Sequence, residues 1–182
     1  NIAKEFKGVE LGANYKLNAD LTFTLVMGLG MYRYKNNPNL IVYTEQTELA
    51  HSLGFDNGKK YLGNAFIKDK KLAVGPQEAY ALKLEYKDPK YWRVAVGLNY
   101  FRKNYVDISP IKYTSNFTNE ISGEPIVGLD KQLVLLFRKQ ELLQSFELMN
   151  LSGGKYWRLE KGYLSMYWNI QNVLGKLYKT GG

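Results

Sequence analysis

From Leu21 to Met31 every odd position is large and apolar, while the even positions read Thr22, Thr24, Val26, Gly28 and Gly30. Side chains on a strand point alternately to opposite faces, so this run builds one continuous greasy face and one face of small or polar residues. The alternation returns along the chain. Val9, Leu11, Ala13, Tyr15 and Leu17 oppose Gly8, Glu10, Gly12, Asn14 and Lys16. Tyr80 to Tyr86, Trp92 to Tyr100 and Leu164 to Ile170 repeat it, and Ser145 to Gly153 repeats it less cleanly because Asn150 upsets either face. The pattern predicts six strands. A soluble antiparallel sheet carries the same alternation, so no single strand is decisive.

The connections carry more information. Short links at Asn18-Ala-Asp20, Asp88-Pro-Lys90 and near Arg158 to Lys161 pair the strands into three hairpins, with Asx and Pro chemistry suited to tight turns. Between hairpins lie long segments, about Lys35 to Val74 and Asn104 to Gln140. A compact soluble domain rarely contains two such connections. Short turns on one side and long loops on the other characterise outer-membrane barrels. Within the second segment, Gln132 to Leu142 reads either as a short helix or as a strand extension. Tyr15, Tyr86, Tyr91, Trp92, Tyr156, Trp157 and Tyr163 cluster beside the short turns, and Tyr32, Tyr34, Tyr100, Phe101 and Trp168 toward the opposite strand ends. Two aromatic bands of this kind fit interfacial girdles.

Composition narrows the reading. The 182 residues suffice for one domain with a core. No apolar run approaches the ~20 residues of a membrane-spanning helix. The chain has no Cys, and its single His, His51, makes a His-based metal site or triad hard to build. Acid–base catalysis would need a positioned carboxylate pair or a His partner, so no enzyme and no cofactor are expected. The net charge of +8 is scattered along the chain and forms no stripe, which argues against nucleic acid and for anionic lipid or lipopolysaccharide.

Six strands cannot close a bacterial barrel, whose even strand count starts at about 8. The first strand runs toward a short turn and the sixth away from one, so further strands are expected beyond both ends. The chain also opens at Asn1 without a signal-like segment, as expected of a processed chain or a piece of a longer one.

An ordered set of short motifs adds a resemblance. Phe6 to Tyr15, Asn36-Asn-Pro38, Val74 to Gln77, Asp88 to Trp92, Asn99-Tyr-Phe101, Asn104 to Ile108, Gly154 to Trp157, Asn169 to Asn172 and Lys179 to Gly182 together resemble the C-terminal barrel of TonB-dependent outer-membrane receptors. The likeness is greatest to Bacteroidota receptors bearing a carboxypeptidase-regulatory-like N-terminal domain. It covers essentially the whole chain except parts of the two long loops. The resemblance implies that residues 1–182 form the C-terminal part of a transmembrane β-barrel, lacking plug domain and closing strands. It further implies uptake of a scarce nutrient, energised by a TonB complex acting through the absent plug, and a surface lipoprotein as a further partner.

Glu10, Lys83, Glu85, Arg93 and Asn99 fall on the polar strand face and are expected to line the lumen. There they would form a solvated interior, bind a plug by salt bridges, form a proton path or contact ligand. Tyr34, Asn36, Asn37, Tyr43, Tyr105 and Tyr113 are candidate ligand-facing groups because loops carry function. His51 reads as a solvated loop residue. Asn116-Phe-Thr118 and Asn150-Leu-Ser152 match glycosylation acceptors, a pattern short enough to arise by chance. Two other classes fit the alternation. One is a small stand-alone outer-membrane barrel with a structural or adhesive role. The other is a soluble all-β ligand-binding domain, whose apolar face would look inward and whose long loops would shrink or carry structure.

Overall fold

In a computed structural model, residues 1–45 and 51–181 are described; the terminal Gly182 of the Thr-Gly-Gly motif lies outside them. The chain divides into two compact units. One comprises Asn1–Phe6, Tyr32–Leu72 and Val106–Glu141, and the other Lys7–Met31, Ala73–Tyr105 and Leu142–Gly182.

The alternating runs form a single antiparallel sheet. Its strands are β1 (Lys4–Lys16), β2 (Leu21–Tyr34), β5 (Glu78–Lys87), β6 (Trp92–Arg102), β7 (Phe146–Leu159) and β8 (Gly162–Ile170). A separate two-stranded ribbon joins β3 (Asn39–Tyr43) to β4 (Lys59–Asn64). The large sheet follows sequence order, β1-β2-β5-β6-β7-β8, so β1 and β8 are its edges. The mostly antiparallel β architecture agrees with the all-β expectation.

The short turns close as their residues dictate. Asn18 Oδ1 accepts from the N–H groups of Asp20 (2.9 Å) and Leu21 (2.8 Å), an Asx turn that reverses β1 into β2. Asp88 Oδ1 accepts from Lys90 N–H at 2.7 Å, and Tyr91 takes φ +66° to bring the chain back into β6. That is a three-residue hairpin with its left-handed position filled by a non-glycine. Leu159 pairs with Gly162, leaving two residues in the last turn.

Register aligns the faces across strands. Phe23, Leu84, Val96, Leu151 and Ile170 form one cross-strand row. Leu25, Leu82, Leu98 and Met149 form the next. The opposite face carries Thr22, Glu85, Ala95, Ser152 and Asn169, then Thr24, Lys83, Gly97 and Asn150. Asn150 thus joins the polar face, where its Oδ1 accepts from Asn172 N–H at 2.9 Å. The irregularity of this run in the sequence reflects Leu148, which shares that face. The strand also continues to Leu159, with Gly153 and Gly154 inside it and not at its end. The Trp168 ring lies over Gly153, where an added Cβ would come within 2.3 Å of it.

The aromatic bands are thinner than the sequence suggests. Cross-strand pairing puts Trp92 and Trp157 on the apolar face with Lys155 and Leu164. Tyr156 pairs with Ser165 and Tyr163 with Arg158, on the opposite face, where the two tyrosines stack at 5.1 Å. Proximity to a turn does not fix the face; strand parity does.

The long connections are not bare loops. The first unit has its own core of Tyr34, Ala65, Ile67, Leu72, Ile108 and Tyr113, with Tyr32 packed against it. Asn57 and Gly58, at φ +48° and +72°, make a tight turn closed by reciprocal Asp56 and Lys59 backbone hydrogen bonds of 2.8 and 2.9 Å. Single 3₁₀ turns lie at Pro110–Tyr113 and Ser115–Thr118. The Gln132 to Leu142 ambiguity resolves as a helix, α1 (Lys131–Phe137), capped by Asp130, whose side chain accepts from Gln132 N–H at 2.8 Å. No helix among the described residues is long and apolar enough to cross a membrane.

Candidate functional site

The polar face of the sheet gathers charge at one point. Glu85 on β5 is only 8% exposed. Its carboxylate accepts from Lys83 Nζ at 2.6 Å and lies 3.0 Å from Lys87 Nζ and 3.5 Å from Arg93 Nε. Lys83, Glu85 and Lys87 share a face because they are two residues apart, and Arg93 arrives opposite Lys87 through the β5–β6 register. One carboxylate thus meets three cations, leaving a local excess of positive charge. Beside them Thr24, Val26, Ala81, Lys83, Asn99 and Ser152 help to line a concavity of about 300 Å³. The small residues Ala81, Ala95 and Gly97 leave this room, since a larger side chain at any of them would fill it.

Of the five residues expected on this face, the structure brings Lys83, Glu85 and Arg93 into one cluster. Asn99 borders the concavity. Glu10 shares the parity of Asn14, whose Oδ1 accepts from the Thr24 hydroxyl at 3.1 Å, which puts Glu10 on the polar face of β1. Lys87 is a member that the sequence reading missed. Its two-residue spacing from Glu85 was the available signal.

The six loop candidates scatter. Tyr34 and Tyr113 are buried core residues of the first unit; Tyr113 donates its hydroxyl to the Arg138 carbonyl at 2.7 Å. Burial raises the Tyr113 phenol above its ordinary pKa. Asn36 serves the chain itself, accepting from Ala3 N–H at 2.8 Å and donating to the Asn1 carbonyl at 2.9 Å. Asn37 Oδ1 accepts from Lys68 N–H at 2.8 Å. Both amides hold backbone, as loop asparagines commonly do. Tyr105 is half-buried and bridges to Leu142. Tyr43 is 67% exposed, with Lys59 Nζ 5.9 Å from its ring centroid. Of the four tyrosines among them, Tyr43 is the most exposed. His51 is exposed. Among the described residues no three His, Cys, Asp or Glu side chains converge as metal ligands would.

Among the described residues one buried side-chain polar atom is unsatisfied: Asn104 is 2% exposed and its Nδ2 has no hydrogen-bond partner, although its backbone carbonyl accepts from Leu143 N–H at 2.8 Å. Comparisons with family models, curated proteins and solved structures find no match.

Proposed function

We propose that this chain contributes a six-stranded wall segment to an outer-membrane β-barrel of the TonB-dependent transporter type, with the Glu85 cluster facing the lumen. The observation that carries the reading is the open apolar face. Leu25, Leu82, Leu84, Val94, Leu98, Met166 and Ile170, which register aligns on that face, are each roughly 40–50% exposed. In water a contiguous apolar surface of this kind is unfavourable at about 25 cal/mol per Å². Against lipid tails the same surface is at home.

Strand ends support the topology. Glu78 pairs with both Leu29 and Arg102, and Phe101 with Phe146, so the two long connections leave from the same end of the sheet and the short turns from the other. Open edges at β1 and β8 leave unpaired backbone groups, which lipid tolerates only when further strands cover them. On this reading the barrel is completed by strands outside the residues described. Lys83, Lys87 and Arg93 then offer an acidic plug segment or an anionic solute a positively biased wall. The transporter type rests on the motif resemblance alone.

A soluble all-β binding domain is favoured by one observation, the structured core within the long connections. It requires the apolar face to be covered, and among the described residues nothing covers it. Cysteine labelling separates the readings. In intact cells expressing the full-length protein, cysteines at Asn57 and Asn116 should react with an impermeant maleimide, and those at Ala19 and Pro89 should not. Uniform labelling of all four in a soluble fraction overturns the membrane assignment.

A further inference from the structure

On the apolar face, Lys155 is a cation that the barrel reading leaves unexplained. Lys155 pairs with Trp92 on β6 and Met166 on β8, so its side chain joins the row below Val94, Gly153 and Trp168. Its Nζ lies 4.3 Å from the Trp92 ring centroid and 5.9 Å from that of Trp157. Among the described residues no carboxylate lies within ion-pair distance of it, unlike Lys83, Lys87 and Arg93, which share Glu85.

A lone ammonium on a lipid-exposed surface sits where its head can reach the polar boundary, and Trp residues mark that boundary. The cation–π contact orients the ammonium over Trp92 but consumes little of its hydrogen-bonding capacity, since an ammonium has three N–H donors. A phosphate diester supplies both the missing counter-charge and the acceptors. The apolar rows above, with Val94, Val96, Leu151 and Ile170, supply the surface along which acyl chains would lie.

We propose that Lys155, held by Trp92 and Trp157 at the turn end of the apolar face, binds the phosphate of an anionic glycerophospholipid. The site rests on the membrane reading, because only a lipid-facing surface presents it to headgroups. The test uses the full-length protein in detergent, titrated with phosphatidylglycerol or phosphatidylcholine and read by native mass spectrometry, alongside flotation with urea-washed vesicles. The unaltered protein should retain phosphatidylglycerol in preference to phosphatidylcholine. Lys155→Gln should lower that preference about fivefold, as expected for one basic residue at an anionic surface. Lys155→Arg should preserve it, and both variants should float with vesicles. If Lys155→Gln floats but keeps the full preference, the lipid site falls and the membrane reading stands. If inorganic phosphate displaces the lipid at equal concentration, the site is a free-anion site and the lipid assignment falls. If even the unaltered protein fails to float, both fall together.

Discussion

The two units solve the same problem of apolar residues in opposite ways. In the first, Ala65, Ile67, Leu72 and Tyr113 are turned inward to between 0 and 4% exposure, around a core with its own ribbon and turns. In the second, residues just as apolar are lined up by strand pairing and left open on one face of a sheet one layer thick. The first is what water selects, since burial removes apolar surface from it. On the proposed reading, the open face of the second meets a solvent that is itself apolar, and the two kinds of surface within one chain answer to two environments.

The comparison can be broken at its largest expected effect in the first core. Ile67 is fully buried, so Ile67→Ala should destabilise that unit by about 2–5 kcal/mol, as a cavity-forming substitution does. Limited proteolysis should then cleave within residues 52–72 while the sheet stays protected. Leu82→Ala, on the open face, should leave the cleavage pattern unchanged.

Next in size is a charge on the open face. Leu25→Arg or Val96→Arg should cost about 2–4 kcal/mol near a bilayer midplane, measured by denaturant unfolding of the vesicle-inserted protein. The same substitutions should be nearly neutral if that face meets water. A smaller effect is expected at Gly153→Ala, where the new methyl must displace the Trp168 ring. Overpacking of this kind costs about 1–3 kcal/mol, and a shift in tryptophan emission would accompany it.

How much of this the sequence disclosed depends on the range of the interactions involved. The six strands of the sheet and its three hairpin turns were legible, because alternation and Asx or Pro turns are local signals. So was the polar-face parity of Lys83, Glu85 and Arg93. Lys87 joins them by the same period of two, but its convergence also needs the β5–β6 register that brings Arg93 opposite it. The first unit was hidden for a different reason. Tyr34, Ile67, Ile108 and Tyr113 come together from segments far apart in sequence and show no common period, so Tyr34 and Tyr113 looked like exposed loop aromatics. The Asn57-Gly58 turn is a strong hairpin signal, but the flanking Phe55-Asp56 and Lys59-Lys60 show no alternation that would mark strands. The faces of Tyr156 and Tyr163 follow from strand parity and not from their closeness to a turn.

The central claim is that one face of this sheet meets lipid and the other meets an aqueous lumen. A nitroxide scan through Val94, Ala95, Val96, Gly97 and Leu98 of β6 in the vesicle-reconstituted full-length protein tests it most directly. The account predicts that collisions with oxygen dominate at 94, 96 and 98, and collisions with a polar nickel chelate at 95 and 97, in strict alternation. Equal access of the nickel chelate to all five positions, or oxygen preference at 95 and 97, would contradict it.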